Sequence, residues 1–274
     1  MTLSYRRLFD LEGKVAVVTG GLGILGQHFC RALAEFGASV AIADLDGEAA
    51  DELARRIADE YRVDCIGLEC DVASEASVET LVARTVAYFG RIDILHNNAA
   101  SKSDDLQAFF APAETYALEE WRKIMAVNLD GVFMVSRAIG RQMIAQGSGG
   151  SIIHTGSIYG QLGCDPSIYR GSEYLGVAIN TPPVYAASKA GVAGLARYLA
   201  TLWASHGIRV NTLIPGGVAS GQNAEFQRRY SARVPMQRMG RPEELTGALI
   251  YLASDASRYV TGQELNVDGG LSAW

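Results

Sequence analysis

The sequence is poor in the residues that mark a disulfide framework, a membrane span or a nucleic-acid-binding surface. It has four cysteines in 274 residues, none of them in a Cys-x-x-Cys pair. It has no run of about 18 apolar residues, and its net charge of −6 argues against nucleic acid or a membrane as a partner. No apolar segment typical of a signal peptide follows Met1. We therefore expect reduced thiols and a cytoplasmic location.

Histidines are also few, and they do not recur at the short spacing of metal ligands. The four are His28, His96, His154 and His206. Each is single, without a second potential ligand at the spacing of a metal site. We therefore expect a protein that binds no metal.

Short apolar segments alternate with helical segments along the whole chain. The apolar segments are nearly continuous in Val, Ile, Leu and Ala, which is typical of parallel strands covered on both faces. This alternation predicts an α/β Rossmann fold, with one domain over residues 1–274 and a doubly wound, parallel, seven-stranded sheet flanked by helices. The predicted strands are Lys14–Thr19, Ser39–Asp44, Cys65–Asp71, Ile92–Asn97, Ser151–Thr155, Arg209–Ile214 and Glu264–Val267. The predicted helices are Gln27–Phe36, Glu48–Tyr61, Ser77–Phe89, Leu118–Ala145, Val184–His206 and Pro242–Ser254.

A glycine-rich turn joins the first predicted strand to the first predicted helix. Gly21, Gly23 and Gly26 fit the pattern Gly-x-Gly-x-x-Gly. Glycines allow a tight turn and a close approach of the backbone to a pyrophosphate, and the following helix N-terminus offers free N–H groups to the phosphates. The turn predicts a dinucleotide site.

Asp44 ends the second predicted strand, where a carboxylate can accept hydrogen bonds from the adenosine ribose hydroxyls. The same charge repels a 2′-phosphate, and the next residues, Leu45 and Asp46, include no arginine. The sequence therefore predicts that NAD(H) is preferred over NADP(H).

Tyr185 and Lys189 lie one turn apart at the start of a long predicted helix. A lysine charge about 4 Å from a tyrosine contributes about 4 kcal/mol at an effective dielectric of about 20. That interaction lowers a tyrosine pKa of about 10 by up to about 3. The pair therefore predicts a general acid and base for the interconversion of a hydroxyl and a carbonyl group.

These motifs occur in one order along the chain: the glycine turn, Asn97-Asn98-Ala99, Asn128, Ser157, Tyr185 with Lys189, and Pro215-Gly216. Together they resemble the short-chain dehydrogenase/reductase family over nearly the whole length. A narrower resemblance is to the subgroup associated with surface-sugar and flagellin-glycan biosynthesis. The family resemblance implies a homotetramer that binds a nicotinamide dinucleotide.

The resemblance also implies a role for each catalytic residue. Ser157 binds the substrate oxygen, Tyr185 is the acid and base, and Lys189 binds the nicotinamide ribose and lowers the Tyr185 pKa. Asn128 holds a water in a proton relay through Lys189. The residues implied to contact the cofactor are Gly20, Gly21, Gly23, Ile24, Leu25, Asp44, Leu45, Asp71, Val72, Asn98, Ala99, Tyr185, Lys189, Pro215, Gly216, Val218 and Ser220.

Two features depart from the pattern of similarly sized family members. Ile24 stands where these members carry glycine, and Ser157 and Tyr185 are 28 positions apart, about twice the usual separation. The additional residues form an insertion at 160–183, which is anchored at both ends to the predicted active site. We expect it to shape the substrate pocket, with an oligomer contact or a solvated flap as the alternative. The predicted substrate-binding residues are Ser157, Tyr159, Tyr169, Arg170 and Tyr185.

The sequence therefore predicts an NAD(H)-dependent oxidoreductase that interconverts a secondary alcohol and a ketone on a polar, sugar-like or polyol substrate. One alternative is a reductase of 3-oxoacyl thioesters. The alternative from another class is a Rossmann protein that senses NAD(H) without catalysis, although the complete set of catalytic residues argues against it.

Overall fold

The computed structural model describes residues 4–101, 103 and 105–274. Its strands are β1 (Val15–Thr19), β2 (Ser39–Asp44), β3 (Cys65–Glu69), β4 (Ile94–Asn97), β5 (Gly150–Thr155), β6 (Glu173–Tyr174), β7 (Val177–Ala178), β8 (Ile208–Pro215) and β9 (Glu264–Val267). A seven-stranded parallel sheet runs in the order β3-β2-β1-β4-β5-β8-β9. The short strands β6 and β7 form a separate antiparallel hairpin inside the insertion. The predicted doubly wound, parallel, seven-stranded sheet is confirmed.

Helices cover both faces of the sheet. They are α1 (Ile24–Glu35), α2 (Gly47–Tyr61), α3 (Glu75–Phe89), α4 (Leu106–Phe109), α5 (Leu118–Met125), α6 (Val132–Gln146), α7 (Pro183–Trp203), α8 (Ala224–Ser231) and α9 (Thr246–Ala253). One core joins α1, α2 and α9 to the sheet, and a second core joins α3, α6 and α7 to the opposite face. Because both faces are covered, even a central strand such as β1 is buried at all five positions, which explains its continuous apolar sequence.

The segment predicted as one helix over Leu118–Ala145 contains an irregular turn. A π-helical turn over Ala126–Gly131 separates α5 from α6 and carries Asn128, which is fully buried. A π-turn inserts an extra residue into a helix and is often found at functional sites. Hydrophobic periodicity does not reveal it, because the apolar pattern continues on both sides.

The connection after β4 and the insertion at 160–183 both contain short structural elements. The connection after β4 includes α4, whose first turn is capped by the Asp105 carboxylate. The insertion at 160–183 contains a 3-10 turn over Pro166–Tyr169 and the β6–β7 hairpin. Side-chain caps and two-residue strands stabilise these segments. The elements are too short to show a periodic pattern in the sequence.

Two features are absent from the part of the chain that the structure describes. None of their helices is long and apolar enough to cross a membrane. No group of three or more His, Cys, Asp or Glu side chains among them is arranged to hold a metal ion.

Candidate active site

The glycine turn after β1 is too narrow for side chains. Gly20 has a φ of +65°, and a Cβ atom there would lie 2.7 Å from the Ala99 Cα. A Cβ on Gly26 would lie 2.1 Å from the Gly20 oxygen. Gly23 begins α1 without a side-chain cap, so the first N–H groups of the helix are left for another partner. This cradle suits a pyrophosphate group.

Two exposed apolar residues border the cradle. The side chain of Ile24 is 56% exposed and that of Leu45 is 70% exposed. Both were predicted to contact the cofactor, and these contacts stay predictions. Ile24 occupies the first turn of α1 without disturbing the cradle, so its departure from the usual glycine leaves the turn intact.

Asp44 is fixed at the end of β2 by two backbone donors. Its Oδ2 accepts a hydrogen bond from the Leu22 N–H at 2.8 Å, and its Oδ1 accepts one from the Leu45 N–H at 2.8 Å. The carboxylate is therefore held against the glycine turn in one orientation. Sequence reasoning predicted the carboxylate at this strand end but not its contact with the turn.

The ends of β1 and β4 are tied together by the side chains of Thr19 and Asn98. The Asn98 Nδ2 donates to the carbonyl oxygens of Thr19 and Gly20 at 3.3 and 3.0 Å. The Thr19 hydroxyl accepts from the N–H groups of Asn98 and Ala99 at 3.1 and 3.2 Å. The turn and the neighbouring strand end therefore form one rigid edge.

The other predicted cofactor residues lie along the same edge of the sheet. Asp71 follows β3, and its exposed carboxylate accepts from the Ala73 N–H at 2.9 Å. Val72 is buried against the helix that carries Gly131. Residues 215–220, which include the predicted Pro215, Gly216, Val218 and Ser220, continue from β8 past the catalytic side chains. Their position fits the nicotinamide end of a dinucleotide.

Ser157, Tyr185 and Lys189 meet at the carboxyl edge of β5. Ser157 follows β5 and is 6% exposed, and its hydroxyl bonds with the hydroxyl of half-buried Tyr185. Tyr185 lies in the first turn of α7, and Lys189 follows one turn later. The Lys189 Nζ lies 5.8 Å from the Tyr185 ring centroid and donates to the Thr155 carbonyl at 2.8 Å.

The pKa of Tyr185 departs from the sequence expectation. Burial raises it above its usual value, and the hydrogen bond from Ser157 offsets only part of that rise. Burial lowers the pKa of Lys189 to about 8. Burial dominates the Tyr185 pKa in this structure, and the Lys189 ammonium group is directed to the Thr155 carbonyl. That Lys189 lowers the Tyr185 pKa stays a prediction.

Asn128 lies beside this group on the π-turn. Its Oδ1 accepts from the Ser101 N–H at 2.8 Å. Its Nδ2 is buried and has no hydrogen-bond partner among the described residues. An unpaired buried donor is where an ordered water is expected. The predicted water relay through Asn128 stays a prediction, and the orphaned Nδ2 is the atom that can hold that water.

Two buried histidines support the strand ends from beneath. The His96 Nε2 lies 2.9 Å from the Thr155 hydroxyl, and the His154 Nδ1 lies 3.1 Å from the Asn97 Nδ2. Burial lowers the pKa of both histidines to about 3, so both are neutral at neutral pH. His96 thus helps to position Thr155, whose carbonyl holds Lys189. Sequence reasoning missed this layer because it treated the histidines only as potential metal ligands.

A cavity of about 400 Å³ opens beside Ser157 and Tyr185. Residues of the insertion form one wall, including Asn180, Thr181 and Pro182, and Phe109 and Phe110 form another. This volume is in the range of small-molecule sites.

The predicted substrate residues in and just before the insertion differ in position. Tyr159 lines the cavity. The Tyr169 hydroxyl lies behind the wall, 2.6 Å from the Thr181 hydroxyl and 3.3 Å from the Tyr159 hydroxyl. Arg170 is exposed and does not line the cavity, because the backbone turns it outward after the 3-10 turn. The structure therefore brings Tyr159 to the cavity, and it does not bring Arg170 there.

The chain is similar to known dehydrogenases and reductases over nearly its whole length. The family model for enoyl-(acyl carrier protein) reductase matches residues 23–272. D-threitol dehydrogenase of Mycolicibacterium smegmatis is 37% identical over 269 residues, covering 96% of this chain and 95% of that protein. A short-chain type dehydrogenase/reductase from Mycobacterium marinum has a TM-score of 0.85 and 34% identity, covering 99% of this chain and 100% of that one.

A gluconate 5-dehydrogenase from Burkholderia cenocepacia J2315, solved in complex with NADP and tartrate, also has a TM-score of 0.85. It is 37% identical and covers 97% of this chain and 98% of its own. The chain belongs to the short-chain dehydrogenase/reductase family. It is an oxidoreductase that interconverts secondary alcohols and ketones. The narrower resemblance to the surface-sugar subgroup stays a prediction.

Proposed function

We propose that this protein is an NAD(H)-dependent dehydrogenase of a polyhydroxy compound, with Tyr185 as its acid and base. The observation that carries the proposal is the meeting of the Ser157 and Tyr185 hydroxyls at one small cavity, with Lys189 buried one turn after Tyr185 in α7. The relatives named for threitol and gluconate support a polyol or sugar-acid substrate. A single domain over residues 1–274, with the insertion at 160–183 closing the cavity, is part of the proposal.

The Ser157 and Tyr185 hydroxyls are both within reach of a substrate oxygen in the cavity. In alcohol oxidation, Ser157 orients the substrate hydroxyl and Tyr185 accepts its proton. In ketone reduction, the Tyr185 hydroxyl donates that proton instead. A bound nicotinamide supplies the hydride acceptor or donor.

Lys189 and Asn128 complete the proton path. Lys189 is held beside Tyr185 by the Thr155 carbonyl, where its N–H groups can also bind a ribose hydroxyl. A water on the Asn128 Nδ2 would connect Lys189 with solvent. In this path, Lys189 and Asn128 carry the proton between Tyr185 and solvent, and neither contacts the substrate carbon.

The cofactor preference rests on Asp44. Its carboxylate is fixed at the glycine turn, where it accepts from ribose hydroxyls and repels a 2′-phosphate. The Burkholderia cenocepacia relative was solved with NADP, so this fold can also bind the phosphorylated cofactor. The fixed negative charge supports NAD(H) for this chain.

A substrate screen that follows the absorbance of the reduced cofactor tests the function. Purified protein with NAD+ or NADP+ is offered threitol, galactitol, gluconate and simple secondary alcohols, and with NADH or NADPH a 3-oxoacyl thioester. We expect turnover of at least one polyhydroxy compound with NAD+. Turnover of the thioester alone would favour the second candidate, for which the aromatic wall of Phe109 and Phe110 is suited. Dinucleotide binding without any turnover would indicate a sensor.

We also propose a homotetramer. The outer faces of α6 and α7 carry exposed apolar side chains, with Phe133 44%, Tyr198 63% and Leu202 51% exposed. Contiguous apolar surface on packed helices is typical of subunit contacts. Light scattering should give about four times the mass of one chain. A stable monomer at micromolar concentration would contradict the proposal.

A further inference from the structure

One polar atom at the substrate cavity lacks a partner. Asn180 belongs to the insertion and lines the cavity five residues before Tyr185. Its Nδ2 donates to the Phe110 carbonyl at 2.7 Å. Its Oδ1 is buried and has no hydrogen-bond partner among the described residues.

The orientation of this amide is determined by its neighbour. The Phe110 carbonyl can only accept, so the NH2 end of the amide must face it and the Oδ1 must face away. The neighbouring Thr181 hydroxyl is already engaged with the Tyr169 hydroxyl at 2.6 Å. Among the described residues, none supplies a donor to Oδ1.

An unpaired buried carbonyl is costly. Leaving such an acceptor without a partner costs about 1–3 kcal/mol, and native proteins rarely do so without a functional reason. Asn180 borders the cavity that contains Ser157 and Tyr185, so a ligand bound there can supply the donor if its binding uncovers the Oδ1 atom.

We propose that the Asn180 Oδ1 accepts a hydrogen bond from a second substrate hydroxyl, distinct from the one that Ser157 and Tyr185 bind. Asn180 is then a specificity-determining residue that selects diols and polyols over mono-alcohols. This inference rests on the proposed function and names the group that the insertion recognises.

The rest of the cavity fits such a ligand. Phe109 and Phe110 pack edge to face, with ring centroids 5.0 Å apart, and offer an apolar surface to the C–H face of a carbon chain or ring. Phe110 also ties Asn180 through its carbonyl, so the connection after β4 and the insertion close on the ligand together. A ligand with two hydroxyls and an apolar face can bond to Asn180 on one wall and pack against Phe109 and Phe110 on the other.

The test compares matched alcohols in the wild type and in Asn180→Leu. The pairs are 2,3-butanediol with 2-butanol, 2,4-pentanediol with 2-pentanol, and cyclohexane-1,4-diol with cyclohexanol, and threitol is added as a polyol. In the wild type, kcat/KM for at least one diol should exceed that for its mono-alcohol by about 10-fold or more, since a site built for a hydroxyl rejects the analogue that lacks it. Asn180→Leu should bring the ratio of diol to mono-alcohol kcat/KM close to one by raising the KM for the diol. The KM for the cofactor should stay unchanged.

Tyr169→Phe is the matched control. It withdraws the hydrogen bond to Thr181 and loosens the same wall, but it leaves the Asn180 Oδ1 in place, so the ratio should stay at its wild-type value. Asn180→Ser replaces the leucine variant if the latter does not fold. A ratio that Asn180→Leu leaves unchanged, or equal wild-type rates on diols and mono-alcohols, would overturn the inference alone. A wild type inert on every alcohol would overturn the proposed function and the inference with it.

Discussion

Replacing Tyr185 with phenylalanine should lower kcat by about 10³-fold, since acid–base catalysis by a positioned side chain contributes about 10²–10⁴-fold. The phenylalanine ring keeps the packing of the first turn of α7 and removes only the hydroxyl that bonds with Ser157. The variant should therefore fold normally and still bind the dinucleotide. Steady-state kinetics on the best substrate, together with NADH fluorescence titration, measure both effects.

Tyr259 offers a control for this substitution because its side chain is fully exposed and lies far from the cavity. Tyr259→Phe should leave kcat and KM unchanged. A Tyr185→Phe variant that retains more than a tenth of the wild-type kcat would show that another group transfers the proton.

Replacing Asp44 with asparagine should change the cofactor preference by about 100-fold. At about 5 Å and an effective dielectric of about 20, a carboxylate and one phosphate charge repel by about 3 kcal/mol, which corresponds to roughly 100-fold in affinity. Asparagine keeps an oxygen that can accept from the Leu22 N–H, so the glycine turn should stay in place. The ratio of kcat/KM for NAD+ to that for NADP+ measures the change.

Asp46→Asn provides the matched control. Asp46 is exposed, lies two residues further on and caps α2 by accepting from the Ala49 N–H at 3.0 Å, a role that asparagine can also fill. The substitution withdraws one negative charge from the same region but should leave the cofactor ratio unchanged. A wild type that prefers NADP+, or an Asp44→Asn variant with the wild-type ratio, would refute the assignment to Asp44.

The fold was predictable because its determinants are local. Continuous apolar segments such as β1 reveal strands buried on both faces, and the helices between them make the sheet parallel. In a parallel sheet every carboxyl end lies at one edge, so Gly23, Asp44 and Ser157 had to meet there. The Tyr185–Lys189 pair needed only the helix repeat to share a face.

Details that depend on long-range contacts were not predictable. The rise of the Tyr185 pKa follows from burial, and the direction of the Lys189 ammonium group follows from the Thr155 carbonyl, 34 residues earlier in the chain. The π-turn at Asn128 and the exposed position of Arg170 follow from packing that leaves no periodic signal. Helix α8 was also missed, because its short polar sequence contributes only Phe226 and Tyr230 to a core.

The sequence by itself determined the sheet, the glycine turn and the identity of the catalytic side chains, because these depend on residue type and short spacing. Only the tertiary structure decided which side chains form the walls of the cavity and which polar atoms there lack partners. Those properties require that Phe110 and Asn180, 70 positions apart, be brought together. Their contact arises when two irregular connections pack over the carboxyl edge of the sheet, and no periodicity in either segment encodes it.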